Sequence, residues 1–530
     1  MNPATTASGV WLRRGFAFAV PAFLWWRFSE NTADNDLWGH VLYGQRMLHL
    51  GGLETTETLS WTAAGQPWIN HEVLAELALG AAHRLGGGSG LWLLMIGLAA
   101  LTLAWAWRAG AGSDPARRLV ALALLAICAN SIALGYAARP QLFTYLLFVV
   151  LLTALRRFLA GGVGWGLVPP LLLVVWANTH GGYLAGWAVL LVALGTEVTG
   201  RLCPGWLRRL RCEPTPVLPG VLTVAAIAST LALCANPWGW RLVLWTIDTL
   251  RLPRPAITEW QPMGFAAATL PFHFTIGLGL AAWVCSRRSR RLWEMLVWAL
   301  LAAMAVRHQR HAPLFGLATV MLLPAHVHDL LARIAPATRH LQAAISRPAA
   351  GRILAVALTL GGAWCLAASV VPRRQPFTMA VPRDLYPVEA IRFMREQGLT
   401  GNTVTFFDWG QQVLWELPDN PVSFDGRLDT VYPAAVRDAH WRLYAGAAPG
   451  PALDLERARY ALLPSASAGI DVLRRHGWSS VYADPLATVL QRGGATGPAR
   501  PGGADAVSGS EPFPDSPPVL ATRAPRTVHE

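Results

Sequence analysis

The chain has 530 residues, 53% of them hydrophobic and only 14% charged, with a mean hydropathy of +0.35. A soluble chain runs near 25% charged residues, so a string of water-facing domains is excluded and most of the chain is expected in lipid. The formal net charge is +13, and all 44 basic residues are arginine. In a membrane protein such an excess reports topology before nucleic-acid binding.

A spanning helix needs about 20 mostly apolar residues. In chain order the sequence predicts about 11 spans, at 15–28, 89–107, 119–137, 141–155, 163–178, 183–199, 216–235, 269–285, 292–306, 312–330 and 353–371. Arg13 and Arg14 precede the first. Arg117 and Arg118, Arg156 and Arg157, Arg201 to Arg211, Arg287 to Arg291, and Arg333 to Arg352 follow alternate later spans. With eleven spans every cluster falls on one side, which the positive-inside rule makes cytoplasmic. The N-terminus is then inside and everything after residue 371 outside. The first segment lacks a small-residue cleavage site, so it is predicted as a membrane helix rather than a signal peptide. The 25 tryptophans suit long membrane–water boundaries.

This gives a polytopic α-helical transmembrane domain over 1–371 with a long outer loop at 29–88. An extracytoplasmic α/β domain follows over 372–492, where short strands and helices alternate. A Gly-, Pro- and Ala-rich tail at 493–530 is expected to be disordered. The six cysteines are read as buried hydrophobes, since the Cys203–Cys212 spacing fits no zinc pattern.

The outer loop opens with Asp34-Asn35-Asp36-Leu37-Trp38-Gly39-His40. An amphipathic helix is predicted after it, ending at Gly51-Gly52, and a second over 70–85 beginning near His71-Glu72. Two carboxylates two residues apart at the mouth of a helix suit a divalent cation or general-base work. The plainer reading is two solvated acids at a helix end.

This loop, with Arg139-Pro140-Gln141, Trp176 to Gly182, Asn236 to Gly239, Glu259-Trp260 and Asp425-Gly426-Arg427, resembles the GT-C superfamily of membrane glycosyltransferases. That superfamily includes protein O-mannosyltransferases, aminoarabinose transferases and oligosaccharyltransferases. The resemblance covers about residues 30–490. It implies that an acidic residue of the first outer loop, Asp34 or Asp36, acts as base on the acceptor or helps a metal (Mg or Mn) orient the donor. Gly39 stands where relatives usually carry an aromatic residue. The implied partners are a polyprenyl-phosphate sugar donor, a glycan, lipid or protein acceptor, and membrane lipids, in a bacterial inner membrane. No nucleic acid is expected.

Transfer from such a donor needs charge stabilisation on the leaving phosphate and a proton acceptor for the attacking hydroxyl. On the outer face the sequence supplies His40, Glu72, Arg139, Asn178, His180, Glu259, Arg307 and Arg310 as donor- or acceptor-binding candidates. Capping and snorkelling are the plainer readings of these positions. Asp425 to Asp429 reads either as a ligand loop or as a salt-bridged turn. The sequence shows no Gly-rich nucleotide motif. A flippase of lipid-linked glycans and a non-catalytic envelope-assembly protein are the rival functions; no internal repeat favours the former.

Overall fold

A computed structural model of the chain describes residues 7–202, 205, 212–252, 257–336, 348–371, 373, 375–493, 499–503 and 507–515. Cys203, Arg208, Arg209, Arg211, Arg339 and Arg347 lie outside them. The other five cysteines are free thiols. Two compact units emerge. One comprises Met1–Glu30, Met95–Tyr136 and Gln141–Pro376; the other comprises Asn31–Leu94, Ala137–Pro140 and Phe377–Glu530. The boundary expected at 371 is therefore corrected: the first outer loop folds with the C-terminal domain. Main-chain pairing explains this, because Thr32 bridges Ala380 and Ser60 bridges Val422.

The first unit is helical. Every expected span contains helix, from Ala7–Phe28 to Pro348–Ala368. Among the described residues, six helices are long and apolar enough to cross a membrane, or seven if one bent pair is a single span. This falls short of eleven. Val163–Ala177 and Pro219–Ala232 are shorter apolar helices. In the α-helical part Val168–Ala177 and in Pro219–Ala232 the prolines stand in the first turn, where a missing N–H costs little. The span expected at 312–330 is bent by 61° between Gln309–Leu322 and Pro324–Ile334, because a proline cannot continue the hydrogen-bond ladder. Trp240–Leu250 is a helix the hydropathy pattern did not announce. The first and last helices pack closely: a Cβ on Gly362 would stand 2.7 Å from the Phe18 ring, the small-residue contact that lets membrane helices approach.

The second unit is α/β. Strands β1 (Ala380–Pro382), β2 (Thr403–Thr405), β3 (Tyr460–Pro464), β4 (Trp478–Ala483), β5 (Ala487–Arg492), β6 (Arg500–Pro501) and β7 (Ser510–Pro512) form two sheets. The five-stranded sheet has the order β2-β3-β5-β4-β6, parallel at β2/β3 and β4/β6 and antiparallel between β3, β5 and β4. All of β2 and most of β3 and β5 are buried, which suits the continuous run Tyr460–Pro464 of β3. Val422–Phe424 makes only isolated bridges, from Val422 to Ser60 and Thr403. The helix Val388–Glu396 buries Val388, Ile391 and Met394 on one stripe.

The tail expected to be disordered is corrected only where it is described, at 499–503 and 507–515; 516–530 lie outside the described residues. Its residues Arg500–Pro501 add β6, and Ser510–Pro512 pair with β1. Phe513 is fully buried against Trp38, His83 and Trp415. Composition missed this because a single aromatic anchor within a Pro-rich stretch offsets the ordering cost of its neighbours.

Candidate functional site

In the second unit the helix Leu37–Leu50 begins just after Asp36. Asp34 makes the turn that enters it: its Oδ1 accepts from the Asp36 backbone N–H at 3.0 Å, an Asx-turn. Asp36 occupies the N-cap position without capping the helix, so its carboxylate is left for other partners. Arg139 is that partner. Its Nε binds Asp34, its Nη2 reaches Asn35 Oδ1 at 2.7 Å, and the same Nη2 lies 3.0 Å from Asp36 Oδ2. Asn35 donates in turn to Asp408 Oδ1 at 2.8 Å.

One guanidinium thus faces three carboxylates, those of Asp34, Asp36 and Asp408. Burial pushes the Asp36 carboxyl above the usual range, with Asp34 and Asp408 adding to the push and Arg139 and His40 opposing it. Burial raises Asp408 as well, against its bond from Asn35. The expectation that Asp34 and Asp36 converge on a metal meets this guanidinium, which already supplies the positive charge between them. Gly426 packs under Asp36, for a Cβ there would meet Asp36 Oδ1 at 2.0 Å. The Gln411 amide fills the space beside Gly39 and accepts from its N–H at 3.2 Å. This explains why no aromatic side chain fits at Gly39.

His40 and Glu72 are brought together with Glu76. His40 Nδ1 lies 3.3 Å from Glu76 Oε1 and 3.8 Å from Glu72 Oε2. Burial lowers the His40 imidazole, but the bond to Glu76 and the charges of Glu72, Glu76 and Asp36 outweigh it and hold it above its ordinary value.

In the first unit a cavity of about 750 Å³ gathers His180, Glu259, Arg307 and Arg310, with His308 and His311, at a wall otherwise built by residues such as Leu184, Ile247 and Met304. Arg310 lies 3.6 Å from Glu259 and stacks 4.3 Å from the Trp260 ring centroid. His308 Nδ1 bonds the Trp260 carbonyl at 2.6 Å. Arg307 has no hydrogen-bond or ion-pair partner among the described residues. His180 Nδ1 meets Thr144 Oγ1 at 2.8 Å and accepts from the Gly182 N–H at 3.0 Å. A largely apolar cavity with an unpaired guanidinium and several imidazoles suits a lipid-like anion. Asn178 does not line it. Its amide donates to the carbonyls of Val174 and Ala235, both at 2.8 Å, and so caps a helix end.

The ligand-loop reading of Asp425 to Asp429 is overturned for Asp425 and Arg427. Both are buried, and Arg427 binds Asp425 and Glu57 beneath the rings of Tyr43 and Trp68. The residues sequence reasoning missed are Asn35, Glu76 and Asp408. Glu76 carried a signal, standing four residues after Glu72 on a helical stretch. Asp408 carried none, since nothing local links it to Asn35.

No protein-family model and no curated protein matches the sequence. Solved structures do. An oligosaccharyltransferase from Archaeoglobus fulgidus in its apo form matches over 86% of this chain and 69% of its own, with a TM-score of 0.56 at 12% identity. The same enzyme tethered to an acceptor peptide gives 0.53. ArnT from Cupriavidus metallidurans, an aminoarabinose transferase bound to undecaprenyl phosphate, matches over 92% of this chain and 98% of its own, with a TM-score of 0.50 at 13% identity. With its run of long apolar helices, the chain is a multi-pass membrane protein with the GT-C fold.

Proposed function

We propose that the protein is a glycosyltransferase that moves a sugar from a polyprenyl-phosphate donor to an acceptor hydroxyl on the extracytoplasmic side of a bacterial inner membrane. The N-terminus is then cytoplasmic, and the unit holding Asp36 is outside. The observation that carries this reading is Asp36. It is a carboxylate freed from helix capping, held by Arg139, and kept above the ordinary carboxylate range by burial and by Asp34 and Asp408. A proton acceptor so tuned works closer to neutral pH than an ordinary aspartate.

In this reading the acceptor oxygen attacks the sugar carbon that bears the phosphate. Its proton passes to Asp36, and the bond from that carbon to the phosphate oxygen breaks. Asp34 and Asn35 fix Arg139, which aligns Asp36. In the cavity of the first unit, Arg307 and Arg310 suit the phosphate of a lipid-linked donor, with His180 beside them, while Glu259 orients Arg310. The neighbour bound to undecaprenyl phosphate supports a lipid-linked donor.

The test is purified protein, assayed in detergent for transfer and in reconstituted vesicles for donor movement, with labelled polyprenyl-phosphate sugars, wild type beside Asp36→Asn and Arg307→Ala. Expected are transfer by the wild type, loss of turnover in Asp36→Asn and a raised KM for donor in Arg307→Ala. Donor movement across vesicles without transfer, equal in all three proteins, would overturn the reading in favour of a flippase.

A further inference from the structure

We propose that His40, Glu72 and Glu76 form a binding site for one divalent cation of the Mn²⁺ or Zn²⁺ class, separate from the Asp34–Asp36 pair. The site begins with two glycines. Gly44 lies one helical turn after His40, and Gly80 one turn after Glu76. A Cβ on Gly44 would stand 1.9 Å from the Glu76 carbonyl oxygen, and one on Gly80 would stand 2.8 Å from the Gln45 nitrogen. The two backbones therefore touch where Leu37–Leu50 meets the helix that starts at Val73. Side chains lean toward the N-terminus of their own helix, so one turn back from this contact the imidazole meets the two carboxylates.

Geometry suits an ion. One donor atom from each residue lies within 4.8 Å of the others. Two ligands each about 2.1 Å from a tetrahedral ion stand roughly 3.4 Å apart. The separations from His40 Nδ1, 3.3 Å to Glu76 and 3.8 Å to Glu72, fall on either side of that value.

The surroundings point the same way. Asn70 donates to Glu76 Oε2 at 2.6 Å, orienting that carboxylate as an outer partner of a metal ligand does, and accepts from the Glu72 backbone N–H at 2.9 Å, fixing the chain beside it. His71 Nε2 lies 3.9 Å from the other Glu72 oxygen, so a second imidazole borders the site. His40 and Glu76 are buried while the Glu72 side chain is 21% exposed, so the Glu72 side is the one open to solvent. Two carboxylates against one imidazole leave net negative charge in a region sheltered from water, and a cation would neutralise it. An imidazole with two carboxylates favours Mn²⁺ or Zn²⁺ over Mg²⁺, which prefers oxygen and water. A bound ion would tie the helix that carries Asp36 to its neighbour.

The experiment reads binding and needs no turnover, so it stands or falls apart from the transfer reading. Full-length protein in detergent is stripped with chelator, dialysed, and titrated with MnCl₂ followed by electron paramagnetic resonance, and with ZnCl₂ followed by metal analysis. Expected is about one equivalent bound, a rise in melting temperature, and at least about tenfold weaker binding in His40→Ala and in Glu72→Gln. Glu72→Gln keeps the shape of a partly exposed residue and guards against misfolding. Asp34→Asn keeps wild-type affinity. The proposal is overturned if neither metal binds stoichiometrically, if Glu72→Gln binds as wild type does, or if affinity is lost in Asp34→Asn instead.

Discussion

Arg139 decides the chemistry of the acidic loop, because Asp34 and Asn35 hold it and it reaches Asp36 in turn. Asp36→Asn is expected to lower transfer by about 10²- to 10⁴-fold, the usual worth of a positioned base, in an assay with labelled donor. The acid limb of the wild-type rate should lie above the pH at which an ordinary aspartate titrates. Asp36 must be ionised to accept a proton, and burial, Asp34 and Asp408 raise it against Arg139 and His40. A rate that Asp36→Asn leaves intact would remove the base from the scheme. Arg427 acts differently. It is a buried cation between Asp425 and Glu57, so Arg427→Met leaves two buried carboxylates without a counter-charge. The expected loss is about 3–5 kcal/mol, measured by denaturant unfolding in detergent. A loss within error would mean those acids find water or protons cheaply.

At the scale of elements, the short β7 segment fastens the second unit. It pairs with β1, and Phe513 fills a pocket of three aromatic rings that includes Trp38, two residues beyond Asp36. The Pro514 carbonyl meets His83 Nε2 at 2.8 Å. Phe513→Ala should destabilise this unit by about 3–5 kcal/mol, the range for emptying a buried aromatic site; protease sensitivity of the C-terminal domain would report it. Unchanged sensitivity would mean the segment rests on the surface. The element-scale features were legible where periodicity carried them: both outer-loop helices, most of the sheet strands and the end at Gly51 follow from alternation, amphipathicity and a glycine at φ 65°. The Ala434–Tyr444 helix and the tail strands were not, since their stability comes from partners distant in sequence.

Across the whole molecule, stability should depend on pH through His440. It is fully buried, with its ring nitrogens bonded to the Val436 carbonyl at 2.7 Å and Ser423 Oγ at 2.8 Å, and burial drops its pKa to about 4. The neutral form is the one folded in place, so its contribution is complete above the unfolded value near 6.5 and fades as pH falls toward 4. The expected loss over that window is about 3 kcal/mol, and His440→Gln should flatten the curve; a curve of equal slope in the variant would count against it. The sequence by itself determined the membrane class, the helical character of the apolar segments and the resemblance to a superfamily, because hydropathy and local motifs are written in contiguous residues. It also named Asp34, Asp36 and Arg139 as candidates. Only the tertiary structure decided that Arg139 bridges the aspartates, that Asp408 joins them, that Arg427 is buried, and that His40 meets Glu72 and Glu76. Those outcomes depend on close approaches at Gly44, Gly80 and Gly426, contacts between residues far apart in the chain that no local pattern encodes.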